Sequence, residues 1–382
     1  MVKRFICISL IVFLILACSG CGIKNHTKDE EDFVSITVAV RKGEKAVWEG
    51  MVEDFYLENP KINVNFIEIG SEFEQYRLLT SALSTGESAF DVMEIEDVWV
   101  EEFIDSEYFY PLNKELNLEK GYISFAKTAF SREGVQYGVP FQMDIGMILA
   151  SKQYEWDGSL YSLKVNDKSD EAVSADSAEK NDIISTLMEL IKYTGNDVKA
   201  ALELYKDIYA NEARGVEALK KFGNGDLPVV RVWSSVLPKF RDEKHNVSGN
   251  FRTHNMPVGK NGNEISVAKI YALAISTLTE KKEACEAFIK FCDSYDFQVQ
   301  WTKKTGTYPV RKAIYEEAPI KSEWNHITPM KDKIESVQIR PHVLRYAEKT
   351  DVIQKNVELY LTGEIAIDEV SFQLEEFLKN NM

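Results

Sequence analysis

The stretch Gly134-Val-Gln-Tyr-Gly-Val-Pro-Phe-Gln-Met-Asp-Ile-Gly-Met-Ile-Leu-Ala150 constrains the rest of the chain. Gly134 and Gly138 bracket a short turn. Pro140 breaks any helix and pushes Val139 into an extended conformation. The run Ile145–Ala150 is apolar and short, so it reads as a buried strand. Gln142 and Asp144 interrupt these apolar surroundings. Polar groups between two apolar strands either turn at the surface or line a cleft. The first choice is a surface hairpin. The second is a crossover between two lobes that hold a ligand between them.

Residues 1–22 are expected to stand outside the fold. Lys3 and Arg4 form a positive n-region, and Phe5–Ala17 is an apolar run of 13 residues, short for a membrane span. It ends in Ile15-Leu-Ala-Cys18 and Ser19-Gly-Cys21, which resembles a bacterial lipobox whose cysteine is acylated. Cys18, with an aliphatic residue at −3 and alanine at −1, is preferred, and Cys21 is the alternative. An ordinary secretory signal or a single anchor would show the same charge and apolar run. Residues 23–34 read as a polar tether that holds the domain off the bilayer.

Of five cysteines, Cys7, Cys18 and Cys21 belong to this leader. Cys285 and Cys292 are seven apart on a predicted helix, about 10 Å along its axis, which is too far for a disulfide. The exported part is therefore expected to rely on its core. At about 350 residues it is large enough to bury one and to divide into two lobes. The formal charge is −16, and removing Lys3 and Arg4 takes it to −18. That balance disfavours nucleic acid, anionic membrane surfaces and polyanionic ligands. The most loop-like interior segment is Ser151–Asp182, rich in Ser, Asp, Lys and Glu.

The first lobe opens with the alternating strand 34–40 and the loop Arg41–Glu44. A helix follows with Val47, Trp48, Met51, Val52 and Phe55 on one face, stopped by Asn59-Pro60. Strand Ile62–Ile69 returns parallel to the first through a right-handed crossover. A helix bearing Phe73, Tyr76, Leu79 and Leu83 leads to a strand at Asp91–Ile95. Ligands bind outside the carboxyl ends of strands in open parallel sheets, so Arg41, Glu44, Asp97 and Trp99 are expected to share one sheet edge. Beyond the crossover, helices are predicted over 183–193, 197–209 and 215–222, strands over 228–233 and 267–275, and a helix over 281–295. Gly306–Arg311 is a turn, and 313–379 reads as helix broken at Pro329 and Arg340-Pro341.

Several pieces in order resemble the family 1 extracellular solute-binding proteins, the maltodextrin-binding-protein-like components of bacterial ABC importers. They are Phe55-Tyr-Leu-Glu-Asn-Pro-Lys-Ile-Asn-Val, Ser81–Gly86 with Phe90-Asp-Val92, Asp97-Val-Trp99 through Tyr110-Pro-Leu112, and Gly134–Pro140. Then come Phe222-Gly-Asn-Gly225, Met256-Pro-Val-Gly259, Ala284–Phe291, Gly306–Arg311, and Arg340-Pro341 with Tyr346. The Thr-Trp-Asp/Glu-Glu-Leu helix start usual in such proteins is absent, and Ser151–Asp182 stands in its place. The resemblance implies an α/β fold of two lobes, periplasmic-binding-protein-like and of class II, with the ligand in the interlobe cleft. The lobes would be 35–142 plus 265–309 and 145–262 plus 313–382. It implies no catalysis and no cofactor. The residues agree: His-Glu-x-x-His, Gly-x-Ser-x-Gly, Walker and Gly-x-Gly-x-x-Gly motifs are all missing, and five histidines show no metal-ligand spacing. Glu96 and Asp97, adjacent on an extended end, would point to opposite sides and make a poor acid/base pair.

A carbohydrate presents flat apolar faces edged with hydroxyls, so its receptor needs aromatic rings together with planar bidentate groups. Trp99, Trp233, Tyr271, Tyr308 and Tyr346 fall at element ends and supply the rings. Glu44, Asp97, Gln142, Asp144, Arg41, Lys269 and Arg340 supply the polar half. Trp48 and Trp301 are assigned to the core. The resulting expectation is a monomeric, lipid-anchored sugar receptor that delivers its solute to an importer permease. A polyamine, a phosphorylated polyol or an iron chelate on the same fold is the alternative. A lipoprotein with a hydrolytic or sensory role is a third reading.

Overall fold

Alternation of buried and outward residues builds the first strands of the chain. The computed structural model describes residues 33–70, 72–86, 89–112, 121–163, 183–209, 215–241, 246–316 and 326–379. Cys18, Cys21, most of the tether and residues 164–182 of the loop-like segment lie outside the described residues. Strand β1 (Val34–Val40) leads into α1 (Lys45–Glu49) and α2 (Glu53–Glu58), then β2 (Ile62–Glu68), α3 (Glu72–Ser84), β3 (Val92–Glu96) and α4 (Val100–Asp105). The single helix expected over 47–58 is two, because the chain turns at Gly50–Val52. Trp48 and Phe55, one on each piece, are both fully buried. β1 pairs in parallel with both β2 and β3, as its crossovers require.

The crossover stretch bears out the extended Val139 that Pro140 implies but corrects where the strand begins. Glu133 and Gly134, both at positive φ, close a two-residue hairpin between 131–132 and 135–136. Gly138–Ser151 is then one continuous strand, β4, of 14 residues. Pro140 is absorbed by a register shift between Pro140 and Gln142, a bulge that tolerates the missing N–H. Gln142 and Asp144 therefore lie inside a buried strand rather than between a turn and a strand.

The second half of the chain adds α5 (Ile183–Tyr193), α6 (Val198–Tyr209), α7 (Gly215–Asn224), β5 (Val229–Trp233), α8 (Leu237–Arg241), β6 (Phe251–Asn255) and β7 (Val267–Ile275). No strand was expected at β6. Next come α9 (Lys282–Cys292) and α10 (Tyr295–Thr305), where one helix ending at 295 was expected. They are followed by β8 (Tyr308–Pro309), β9 (Gln338–Ile339), α11 (Tyr346–Thr362) and α12 (Ile367–Leu378). Between 312 and 345 the described chain runs as short 3-10 turns and β9 rather than as the helix expected.

β4 ties the halves together. Its first half, Gly138–Ile145, lies against β7 in a sheet ordered β8-β4-β7-β3-β1-β2. Its second half, Gly146–Ser151, runs between β5 and β6. In that half, alternate residues face two helix layers, as period two demands. Ile148 and Ala150 pack with α5, α6, α11 and α12, while Met147 and Leu149 pack with Phe222 and Phe240 on the opposite face. In the first sheet, Trp48 packs against Phe66, Phe141, Phe288, Phe297 and Trp301, the last at 4.4 Å between ring centroids. Cys285 and Cys292 are buried, unpaired thiols on α9. Burial pushes the Cys285 thiol up to about 12.

Candidate ligand-binding site

β1 delivers Arg41 at its carboxyl end, just before Gly43 turns the chain at φ +86°. Arg41 Nε donates to Glu94 Oε1 at 2.7 Å, and its Nη2 pairs with Glu44. The guanidinium carbon stands 3.7 Å from the centroid of the Tyr271 ring, a cation–π contact. Glu94, fully buried on β3, also accepts from Gln142 Nε2 at 3.1 Å. Gln142 Oε1 in turn accepts from Trp301 Nε1 at 2.9 Å. One network thus joins β1, β3, β4 and α10. Burial raises the Glu44 carboxyl well above the usual carboxylate range; Arg41 opposes this and Glu94 adds to it. Burial works to lower the Arg41 pKa, but Glu44, Tyr271, Glu94 and Asp144 outweigh it and the pKa rises.

Asp144 reaches from β4 to the turn after β5. Its Oδ1 accepts from Ser234 Oγ at 2.7 Å and from the Ser235 N–H at 3.0 Å. Trp233 ends β5 and is buried. The Arg231 guanidinium stands 4.1 Å, and Lys269 Nζ 4.5 Å, from its ring centroid. The indole N–H has no partner among the described residues. Arg231 is fixed by two bonds to Glu189, at 3.0 and 2.8 Å. Gly146 faces Trp233 across the ladder, and a Cβ there would lie 2.1 Å from Glu189 Oε1. The absent side chain makes room for the buried ion pair.

A third cluster centres on Arg340, one residue past β9. Its Nη1 lies 2.7 Å from Glu96 Oε1, and its Nη2 pairs with Asp97. Asp97 also accepts the Ile270 N–H at 3.1 Å and lies 3.2 Å from His342 Nε2. The two carboxylates do not diverge as an extended end would make them. The chain enters a 3-10 turn at Asp97, so both meet one guanidinium. Burial pushes the Asp97 carboxyl up, but Arg340, His342 and the Ile270 N–H outweigh it and hold it below its ordinary value.

The candidates divide accordingly. Arg41, Glu44, Gln142, Asp144 and Tyr271 share one neighbourhood, Trp233 and Lys269 a second, and Asp97 and Arg340 a third. Tyr308 pairs across from Met143 and packs edge-on against His326 at 5.0 Å. Tyr346 opens α11 and packs on Phe377. Trp99 stacks on Phe103, packs at a tilt against Tyr76 and joins none of the three clusters. Sequence reasoning missed Glu94, Arg231, Glu189 and His342. Glu94 and Arg231 did carry a signal, since each is the charged residue in the middle of a wholly buried five-residue strand. Glu189 and His342 carried none.

A groove of about 1030 Å³ lies elsewhere, between α1–α2 and α9–α10, with Met51, Leu57, Lys290 and Lys304 on its walls. No candidate residue lines it, and it opens on the outer side of the first sheet, so the convergence around β4 is the stronger candidate. Among the described residues no group of His, Cys, Asp and Glu is placed to hold a metal ion. No described helix is long and apolar enough to cross a membrane.

Maltose-bound MalE3 of T. maritima superposes with a TM-score of 0.80 over 91% of this chain and 100% of that one, at 21% identity. The GacH receptor of Streptomyces glaucescens gives 0.76 over 92% and 100%, at 20% identity. UgpB of Mycobacterium tuberculosis, in complex with glycerophosphocholine, gives 0.75 over 91% and 98%, at 16% identity. At these identities the likeness shows the fold: two α/β lobes of the periplasmic-binding-protein kind, joined here by β4. The family model described as bacterial extracellular solute-binding protein matches residues 50–328, most of the chain. By that match, and with this fold around it, the chain belongs to the bacterial extracellular solute-binding proteins.

Proposed function

We propose that this protein is the solute receptor of a bacterial ABC importer and that its solute is a carbohydrate held between the lobes. One observation carries the reading. Aromatic rings and planar hydrogen-bonding groups from both sheets converge on the middle of β4, the strand the sheets share. Rings with carboxylate, amide and guanidinium edges are the groups that sugar faces and hydroxyls require. Two of the neighbours support the class, since MalE3 holds maltose and a protein from Agrobacterium vitis holds D-mannitol, while UgpB holds glycerophosphocholine. The lobes would be 35–142 plus 265–309 and 145–262 plus 313–382. The converging side chains are almost all buried, so the lobes must separate to admit a ligand. The working form is a monomer that hands its solute to the permease.

The test is calorimetric titration of the protein with neutral mono- and disaccharides, polyamines and phosphate esters. Binding by a sugar is expected. Binding by a polyamine or phosphate ester alone would overturn the carbohydrate reading. Trp233→Ala should cost about 1–3 kcal/mol of sugar affinity, roughly tenfold to a hundredfold in Kd. Full affinity in the fraction that still folds would remove Trp233 from the site.

Anchoring belongs to the same proposal. The leader ends in Ala17-Cys18, so Cys18, or else Cys21, would carry the lipid. Cys18→Ala combined with Cys21→Ala should release the protein from the membrane fraction. A double variant that stays there like the wild type would mean that neither cysteine is the anchor.

A further inference from the structure

We infer that the solute is a sugar bearing a basic nitrogen, an amino sugar whose ammonium lies against Glu44 and Asp144, and that phosphorylated sugars are rejected. This deepens the carbohydrate reading and rests on it.

The first support is the balance of fixed charge around β4. Around Arg41 the carboxyl groups of Glu44, Glu94 and Asp144 share one guanidinium, while the Glu189–Arg231 and Glu96–Asp97–Arg340 groups are balanced within themselves or by His342. Each arginine is already paired with carboxylates, although Arg340 keeps a buried Nε without a hydrogen-bond partner among the described residues. Arg41 is bonded to two carboxylates, Arg340 is paired with two, and Arg231 is held by both oxygens of Glu189. An anionic ligand would have to compete for these guanidinium groups with carboxylates already in place. A cationic ligand adds the charge that the cluster lacks.

The second support is the set of atoms left over. Glu44 Oε2 is enclosed and accepts no hydrogen bond. Both bonds to Asp144 use Oδ1, which leaves Oδ2 of this buried side chain for a ligand. Asp144 and Glu44 both act on Arg41 electrostatically, which places the two carboxylates around the same guanidinium. Next in the chain to Ser234, which bonds Asp144, the buried Trp233 indole N–H lacks an acceptor. Around Glu44, Asp144 and Trp233 the open positions are thus two carboxylate acceptors and one neutral donor. An ammonium supplies three donors and no acceptor, and a neighbouring hydroxyl oxygen can accept from the indole. A phosphate supplies acceptors alone, and would set like charge against Glu44 and Asp144. Burial raises the Glu44 carboxyl even with Arg41 beside it, and a second cation would favour its charged form.

The test is a set of titrations of the full-length protein followed by intrinsic tryptophan fluorescence. The probes are glucose and cellobiose, glucosamine and its β-1,4 dimer, glucose 6-phosphate, and spermidine. The amino sugars should bind about tenfold or more tightly than their neutral parents, and glucose 6-phosphate more weakly than glucose. Glu44→Gln and Asp144→Asn should each narrow the amino-to-neutral ratio. That ratio is read on one preparation and does not depend on how much of a variant folds. Neutral sugars binding as well as amino sugars, or glucose 6-phosphate binding best, would overturn the inference and leave the carbohydrate reading standing. Spermidine binding without any sugar, or no binding by any probe, would overturn both. Variants whose ratio equals the wild type's would remove Glu44 and Asp144 from ammonium recognition.

Discussion

Gly146 shows how one missing side chain organises its surroundings. The Glu189–Arg231 pair fills the space a Cβ would take, and that pair holds a guanidinium against Trp233. A buried ion pair is weak evidence for stability while intact, but breaking one strands a charge and costs about 3–5 kcal/mol. Gly146→Ala should therefore destabilise the ligand-free protein by about that amount, read as a lower midpoint in urea. A midpoint shift of under about 1 kcal/mol would mean that the pair relaxes around a methyl group without breaking. The same logic separates Glu94 from an ordinary core residue. It accepts from Arg41 and from Gln142, so it sets the direction of the guanidinium over Tyr271.

At the scale of elements, the boundary between α9 and α10 is made by Ser294. Its hydroxyl accepts from the Phe297 N–H at 3.2 Å and starts a new helix where hydrophobic periodicity alone ran on. At the other end, Gly306 adopts φ +72° and closes α10, its backbone close against Ser234 and Leu237 of the other half of the chain. α10 carries Trp301, which donates to Gln142 on β4. Ser294→Ala should cost about 1 kcal/mol of stability, a fall of a few degrees in Tm, with solute affinity unchanged in the folded protein. An unaltered Tm would show that the cap adds nothing beyond the packing of α10. β4 is the element on which the site depends most. Its bulge at Pro140–Gln142 and its change of partners at Ile145–Gly146 bring side chains from two sheets together.

At the scale of the molecule, acid should weaken the fold through His326. This ring is buried against Tyr308 and bonds the Gly306 carbonyl through Nε2 at 3.0 Å. Burial lowers its pKa from 6.5 to about 3. The unfolded chain takes up a proton as pH falls through about 6.5, while the folded chain does not until about 3. Stability is thus fully present above about 6.5 and is lost progressively below it, by about 2–3 kcal/mol at pH 4.5. Urea denaturation at pH 7 and pH 4.5 should show this drop in the wild type and a smaller one in His326→Gln. Equal drops would assign the acid sensitivity elsewhere. Asp97 adds an acid loss at lower pH, since its depressed carboxyl stabilises the fold above about 4 and loses that contribution as pH falls further. The alternating and 3.6-residue patterns of the chain were enough to indicate parallel strands with helical crossovers, reduced helix cysteines and the core positions of Trp48 and Trp301, because burial leaves a local period. Arg41, Glu44, Asp97 and Trp233 were legible as ends of strands, where the backbone alone dictates position. The tertiary structure decided the rest: that Pro140 sits within a strand, that Glu96 and Asp97 meet one guanidinium, that Trp99 packs with Tyr76 and Phe103, and that Glu94, Glu189, Arg231 and His342 complete the clusters. Each of these depends on which distant residue faces which, and a local period carries hydrophobicity and direction but not the partner across the sheet.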